Sequence, residues 1–266
     1  RALLKEIENY SVKVRILPGL ADLAQGKILV SELKEVDISD LLGRYEVEAN
    51  QLLIDRNIQN KVVLITGAGG SIGSEISRQV VRNNAKKVIL LDSNEFSLYS
   101  IKNEIENFKT QTELFSVLTS VNNRKRITEV LETFKVDTIY HTAAYKHVPL
   151  VEENPFEAVI NNILGTKVCV DSAIKAGVET FVLISTDKAV RPTNIMGATK
   201  RFAELILQSV SKDIKTRMIM VRFGNVIGSS GSAIPLFQQQ IKEGGPVTVT
   251  HPEVIRYFMS IPEAAE

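Results

Sequence analysis

The stretch from Val62 to Asn83 limits what this chain can fold into more than any other. A β-branched apolar run, Val62–Thr66, passes directly into Gly67-Ala68-Gly69-Gly70-Ser71-Ile72-Gly73 and then into an amphipathic segment that reads as a helix, Ser71–Asn83. A strand that turns through glycines into a helix is the opening of a βαβ unit. Gly67 permits the tight turn, Gly70 lets backbone approach a pyrophosphate, and Gly73 lets helix and strand pack closely. The helix start, with Ser71 and Ile72, offers unbonded N–H groups and a positive dipole end to an anion. A lone glycine pattern is weak evidence, and the strand–turn–helix context is what strengthens it.

The same alternation continues along the chain. Further strands are expected at Val88–Asp92, Glu113–Val117, Thr138–His141, Thr180–Ser185 and Arg217–Phe223, nearly continuous in apolar character, as in strands covered on both faces. Helices are expected at Glu95–Phe108, Arg124–Phe134, a long one over Val151–Ala176, and Asn194–Ser211. This order implies parallel crossovers and an α/β fold, a doubly wound parallel sheet. Residues 1–58 differ. They suggest a helix over 1–9, a short strand Val12–Ile16 and a charged stretch Leu33–Leu42, without a glycine fingerprint. They are read as the end of a preceding domain plus a linker, with the dinucleotide-binding domain at 59–266 and its C-terminal substrate region incomplete.

Composition excludes several classes of function. Of 266 residues 44% are hydrophobic and the net charge is +1, which gives no electrostatic case for nucleic acid. The single cysteine, Cys169, excludes an internal disulfide framework and suits a reducing compartment. Three histidines, none at zinc-motif spacing with it, argue against a metal site. No run approaches the ~20 apolar residues of a membrane helix, so no membrane contact is expected of this segment. Arg1 in place of a methionine, and an end at Glu266 within a helix start, read as cuts from a longer parent.

Asp92 closes the second strand, 19 residues after Gly73. A carboxylate there can accept both ribose hydroxyls of an adenosine and would repel a 2′-phosphate. Ser93 and its neighbours offer no cation to such a phosphate, so NAD is expected rather than NADP. The competing reading is Asp92 as a helix N-cap.

Longer strings carry a resemblance. Thr66-Gly-x-x-Gly-x-x-Gly73, His141-Thr-Ala-Ala-Tyr-Lys-His-Val-Pro149, Arg222-Phe-Gly-Asn-Val-Ile-Gly228 and Thr250-His-Pro-Glu-Val-Ile-Arg-Tyr-Phe-Met259 resemble the extended short-chain dehydrogenases/reductases, and among them the CapD-like nucleotide-sugar 4,6-dehydratases of polysaccharide biosynthesis. Met196, four residues before Lys200, replaces the usual tyrosine of a Tyr-x-x-x-Lys pair, as in the long, membrane-anchored members that act on UDP-N-acetylglucosamine. The resemblance implies a cytoplasmic domain of a parent anchored in the inner membrane, a UDP-sugar substrate and a homo-oligomer. It also implies that Ala143 and Ala144 line the cofactor, and that Ser120 and Val121 meet its adenine where the family has aspartate, with Ser120 bonding the adenine amine.

The implied reaction oxidises the C4 alcohol with NAD, removes the C5 proton, expels the C6 hydroxyl as water and returns the hydride to C6. A thioether carries no proton, so this work is assigned elsewhere. Lys200 holds the nicotinamide ribose and supplies positive charge. Asp187 is the general acid at the C6 hydroxyl: partial exclusion from water would keep it protonated, while Lys188 and Lys200 push its pKa the other way. Lys188 is the C5 base, and Thr186 orients the C4 oxygen. The C4 base is left open between Asp187 and a Thr186-bound water. Lys146, Asn225 and Arg256 are expected at the substrate. The alternatives are a 4-epimerase and a catalytically silent NAD- or nucleotide-sugar-binding domain.

Overall fold

A computed structural model of the chain describes residues 15–16, 34–35, 50–210, 214–229, 233–249, 251, 253 and 256–266. The chain forms two compact units, Arg1–Tyr45 and Glu46–Glu266. In the first, β1 (Arg15–Ile16) and β2 (Lys34–Glu35) pair antiparallel. The expected helix over 1–9 and most of the 33–42 stretch lie outside the described residues.

The second unit begins earlier than the expected boundary at 58/59. Its first helix, α1 (Gln51–Ile58), is capped by Asn50 and buries Ile58 against the core. The Thr138 hydroxyl also donates to the Asn57 carbonyl at 3.1 Å. The polar spacing of Gln51, Asp55, Arg56 and Asn57 hides one apolar edge, Ile54 and Ile58, which belongs to the sheet.

Six parallel strands follow: β3 (Val62–Thr66), β4 (Lys87–Asp92), β5 (Glu113–Leu118), β6 (Thr138–His141), β7 (Thr180–Thr186) and β8 (Arg217–Phe223), in the order β5-β4-β3-β6-β7-β8. Strand order therefore reverses between β3 and β6, where doubly wound sheets bind ligands. The helices between them are α2 (Ser71–Arg82), α3 (Glu95–Glu106), α4 (Arg124–Phe134), α5 (Val148–Glu153), α6 (Pro155–Ala158), α7 (Gly165–Ala176) and α8 (Ile195–Val210). Alternation along β3 sends Val62 and Leu64 into one core, with α4, α7 and α8, and Val63 and Ile65 into the other, with α2 and α3. Both faces are thus covered at the centre of the sheet. The outer strands β5 and β8 are more open, because each has one strand neighbour.

The expected long helix Val151–Ala176 is broken. Pro155 cannot donate to a helical ladder, and Asn154 leaves helical geometry at φ −130°, ψ 59°. A π-helical turn, Val159–Leu164, then separates α6 from α7 and points Asn162 inward. Beyond β8 come β9 (Asn225–Val226), α9 (Ala233–Lys242), β10 (Phe258–Met259) and α10 (Ile261–Ala265). β10 pairs parallel with β9, which brings Arg256 and Phe258 back beside Asn225.

Candidate active site

The carboxyl ends of the central strands open onto a cavity of about 350 Å³. At its β3 side the glycine turn has little slack. Gly67 has φ 66°, and a Cβ there would lie 2.8 Å from the Ala143 backbone nitrogen. A Cβ on Gly73 would lie 2.1 Å from the Gly67 carbonyl oxygen, so α2 rests directly on the turn. At Gly70 the only neighbour is that same oxygen, at 3.3 Å, leaving its approach open. Gly69, overlooked in the sequence, is held tightly too: its Cβ would meet Ser97 Cβ at 2.4 Å.

Ser71 is the first residue of α2, whose N-cap Gly70 places no side chain over it. The first intrahelical bond runs from the Ser74 N–H to the Gly70 carbonyl, 2.8 Å. The N–H groups of Ile72 and Gly73 therefore lie outside the helical ladder. Asp92 Oδ2 accepts the Gly69 N–H at 2.9 Å and Oδ1 accepts the Asn94 N–H at 2.9 Å. The N-cap of α3 is Asn94, which accepts from the Ser97 N–H at 2.8 Å. Asp92 is therefore a brace for the glycine turn, with lone pairs remaining on both oxygens, and the exposed Ser93 follows it. An open glycine approach, a helix start and this carboxylate fit the pyrophosphate and ribose of a dinucleotide.

Two expectations at the adenine corner need correction. Ser120 Oγ already accepts from the Asn122 backbone at 3.2 Å and from its Nδ2 at 3.4 Å, so what it retains to offer is its proton. Asn122 Oδ1 is the one buried side-chain oxygen or nitrogen among the described residues with no partner. Val121 is a core residue, packed in the cluster beneath the sheet and within 2.7 Å of any Cβ on Gly165, so its side chain is closed to a ligand.

At the β7 end, Thr186, Lys188, Met196, Lys200, Asn225 and Arg256 line the cavity with Ile72, Ala144 and Lys146. Ala143 sits behind them against the glycine turn, its N–H directed at Thr66 Oγ1, 3.4 Å away. Asp187 is beside the cavity rather than in its lining. Its Oδ1 accepts from Thr186 Oγ1 at 3.0 Å and from Lys188 Nζ at 3.0 Å, while Lys188 Nζ also donates to Asn225 Oδ1 at 3.3 Å. Partial burial pushes the Asp187 carboxyl up, but the bonds from Lys188 and Thr186 outweigh it and hold it below the usual carboxylate value. The expectation of a carboxyl protonated at rest is therefore corrected: Asp187 rests ionised. Met196 faces the cavity on one side and packs with Val151 and Ala158 on the other.

A family model described as polysaccharide biosynthesis protein matches residues 63–266. The chain belongs to that family. Over 251 residues it is 54% identical to the capsular polysaccharide biosynthesis protein CapD of Staphylococcus aureus, covering 94% of this chain and 42% of that protein. It is 47% identical over 266 residues to the probable polysaccharide biosynthesis protein EpsC of Bacillus subtilis, covering 100% and 44%. The chain thus spans less than half the length of these two relatives. Among solved structures, Pen from Bacillus thuringiensis superposes with a TM-score of 0.73 at 36% identity, covering 79% of this chain and 66% of that one.

Beneath the cavity of this polysaccharide biosynthesis family member lie buried polar groups, of which His141, Thr166 and Glu204 had been given no role from the sequence. His141 is wholly buried between Thr66 Oγ1, 2.8 Å from Nδ1, and Thr166 Oγ1, 3.0 Å from Nε2. Thr166 gives its proton to the Asn162 carbonyl at 2.7 Å. Its oxygen must then accept from Nε2–H, and in the neutral ring that burial enforces Thr66 donates to Nδ1. Burial, and then the charge of Lys200, push His141 down to about 3. Lys200 is 5% exposed, and burial lowers it to about 8 against the opposing charge of Glu204. Glu204 is completely buried among Ser185, Arg201 and Arg222. Asn162 clamps the Tyr145 backbone, accepting its N–H at 2.8 Å and donating to its carbonyl at 3.0 Å. One signal was available for Glu204: it falls on the inward stripe Met196, Lys200, Ala203, Leu207 of α8, where a charge is out of place.

Proposed function

We propose that the protein is an NAD-dependent nucleotide-sugar 4,6-dehydratase, with UDP-N-acetylglucosamine as substrate and the 4-keto-6-deoxy sugar nucleotide as product. The observation that carries the reading is the cluster at the end of β7. Thr186, Lys188, Met196, Lys200 and Asn225 share one cavity, with Asp187 ion-paired to Lys188 at its edge. The relatives' names place them in polysaccharide biosynthesis, which consumes modified sugar nucleotides. Lys146 and Arg256 supply positive charge for a diphosphate, and arginine can bind two of its oxygens at once. The full protein is taken to be an inner-membrane-anchored homo-oligomer with this domain on the cytoplasmic side.

The cradle for NAD comprises Gly67, Gly70, Gly73 and the start of α2 at the pyrophosphate, Asp92 at the adenosine ribose and Lys200 at the nicotinamide ribose. Bound NAD would supply reversible hydride acceptance, taking it from C4 and returning it at C6. The chain itself moves the protons. Asp187 rests ionised and already accepts the Thr186 hydroxyl. It can therefore take the C4 hydroxyl proton through Thr186 and later deliver that proton to the departing C6 hydroxyl, which leaves as water. One carboxylate thus acts first as base and then as acid. Lys200 stabilises the developing C4 oxyanion with its charge. Lys188, held in place by Asn225, acts as its neutral amine after its resting proton has gone to solvent; it takes the C5 proton and returns it to the same carbon when hydride arrives at C6. Met196 contributes no proton and closes the cavity floor.

Incubating the full-length protein with NAD and UDP-N-acetylglucosamine, then analysing products by mass spectrometry and NMR, tests this directly. Loss of one water is expected. An isomer of unchanged mass, inverted at C4, would mean epimerisation, and NAD binding without turnover would mean a silent domain. In deuterium oxide, Lys188→Ala is expected to abolish C5 exchange; exchange that survives would place the base elsewhere.

A further inference from the structure

The site residues come from three separate elements. Lys200 and Met196 are on α8, Thr186 ends β7 with Asp187 and Lys188 directly after it, and Asn225 follows β8. Their mutual distances are set by whatever fastens α8 to the two strands. Gly197 provides close contact without a bond: a Cβ there would lie 2.3 Å from the Lys188 carbonyl oxygen, so α8 begins directly on the Lys188 backbone.

The bonded connection is Glu204, one turn beyond Lys200 on α8. Its Oε1 accepts from Ser185 Oγ at 2.7 Å and from Arg222 Nε at 2.7 Å. Its Oε2 accepts from Arg201 Nη1 at 2.9 Å and also from Arg222 Nη2. Ser185 immediately precedes Thr186, Arg222 lies three residues before Asn225, and Ser185 and Arg222 are register partners across β7 and β8. One buried carboxylate thus reaches the helix of Lys200, the strand of Thr186 and the strand of Asn225, with its acceptor positions occupied by bonds of the charge-assisted kind.

We propose that Glu204 is the positioning residue of this site, fixing Lys200 against Thr186–Lys188 and Asn225 and setting the electrostatic environment of the Lys200 ammonium. It touches neither cofactor nor substrate, and it acts through Lys200, Ser185 and Arg222. The inference rests on the reading of the cavity as a dinucleotide and sugar-nucleotide site, but its electrostatic half does not depend on that reading. The ionisable groups around Lys200 are Glu204 on its own helix, His141 on β6, Asp187 and Lys188 on the turn packed against α8, and Tyr145, Lys146, His147 and Arg256 around the cavity. Of the two carboxylates, Asp187 is ion-paired to Lys188, and Glu204 is the one whose charge holds the Lys200 ammonium up against burial.

The test compares Glu204→Gln, Glu204→Asp and Ser185→Ala in the full-length protein. Acylation of Lys200 by a small amine-reactive ester is followed against pH by peptide mass spectrometry, and NADH affinity by fluorescence titration. Glu204→Gln keeps the shape and loses the charge, so the midpoint of Lys200 labelling should move to lower pH. Glu204→Asp keeps the charge and should restore most of that midpoint, while its shorter reach loosens the fastening. Ser185→Ala removes one bond and leaves the charge, so it should leave the midpoint in place and weaken NADH binding by about three- to tenfold, as loss of one such bond allows. An unchanged labelling midpoint in Glu204→Gln, or Ser185→Ala binding NADH as tightly as the parent, overturns the proposal. If Glu204→Gln does not fold, the Glu204→Asp midpoint and Ser185→Ala affinity decide it. If the parent binds no NADH, the site reading fails, and the Lys200 midpoints still judge the role of Glu204.

Discussion

A side chain's charge state follows from its neighbours, and Asp187 and His141 show two outcomes in one site. Asp187 keeps its charge because Lys188 and Thr186 donate to it; His141 loses its charge because it is completely buried and close to the Lys200 ammonium. The second outcome has a consequence for stability. His141 is held near 3 when folded and has its ordinary value of 6.5 when unfolded. Between those limits the unfolded chain binds a proton that the folded chain refuses, so stability falls as pH drops from about 6.5 toward 3, by up to about 1.4 kcal/mol per pH unit. Glu204, depressed to about 2 by its three donors despite burial, adds to the loss only below about 4.5. Chemical unfolding of the parent and of His141→Gln between pH 5 and 7 should show a shallower slope in the variant. Equal slopes would assign the acid sensitivity to other groups.

At the scale of the element, α2 and its glycine turn form one closely fitted piece. Gly73→Ala drives a methyl group against the Gly67 carbonyl, and the clash can be relieved only by lifting the helix from the strand end. A loss on the order of 1–3 kcal/mol in unfolding free energy is expected, with weakened NADH binding. Unchanged values for both would show that the turn can yield. The glycine spacing was legible because each glycine answers a local backbone demand. The interruption of Val151–Ala176 was signalled only in part, by Asn154-Pro155, since the π-helical turn arises where Asn162 is drawn in toward Tyr145 and Thr199. Such a pull comes from residues distant in sequence, which periodicity does not register.

For the whole molecule, the sheet order and both of its cores belong to the unit that starts at Glu46, and α1 is part of it. A chain beginning at residue 59 would uncover the face that Ile58 and part of Ile54 close, at a cost of roughly 2–4 kcal/mol. A chain beginning at residue 46 should unfold at the parent's denaturant midpoint for this unit. If both truncations behave alike, α1 contributes nothing to the core. The doubly wound sheet was readable throughout from alternating β-branched and amphipathic segments. The position of α1 was not, because only Ile54 and Ile58 of its four apolar residues turn to the core while Leu52 and Leu53 stay exposed, too short an edge to identify its partner.

Local chemistry was enough to determine the order of strands and the parallel sheet, and it pointed to the glycine turn, to the carboxylate at Asp92 and, with the family resemblance, to Thr186-Asp187-Lys188 with Met196 and Lys200. Each of these is written in neighbouring residues or in a spacing that the backbone imposes. Tertiary structure alone decided that the Val121 side chain is buried in the core and that His141 is enclosed between Thr66 and Thr166. It also decided that Glu204 joins three elements beneath the site. Burial and hydrogen-bond partners set charge and availability, and both come into existence only when segments far apart in the chain are brought together.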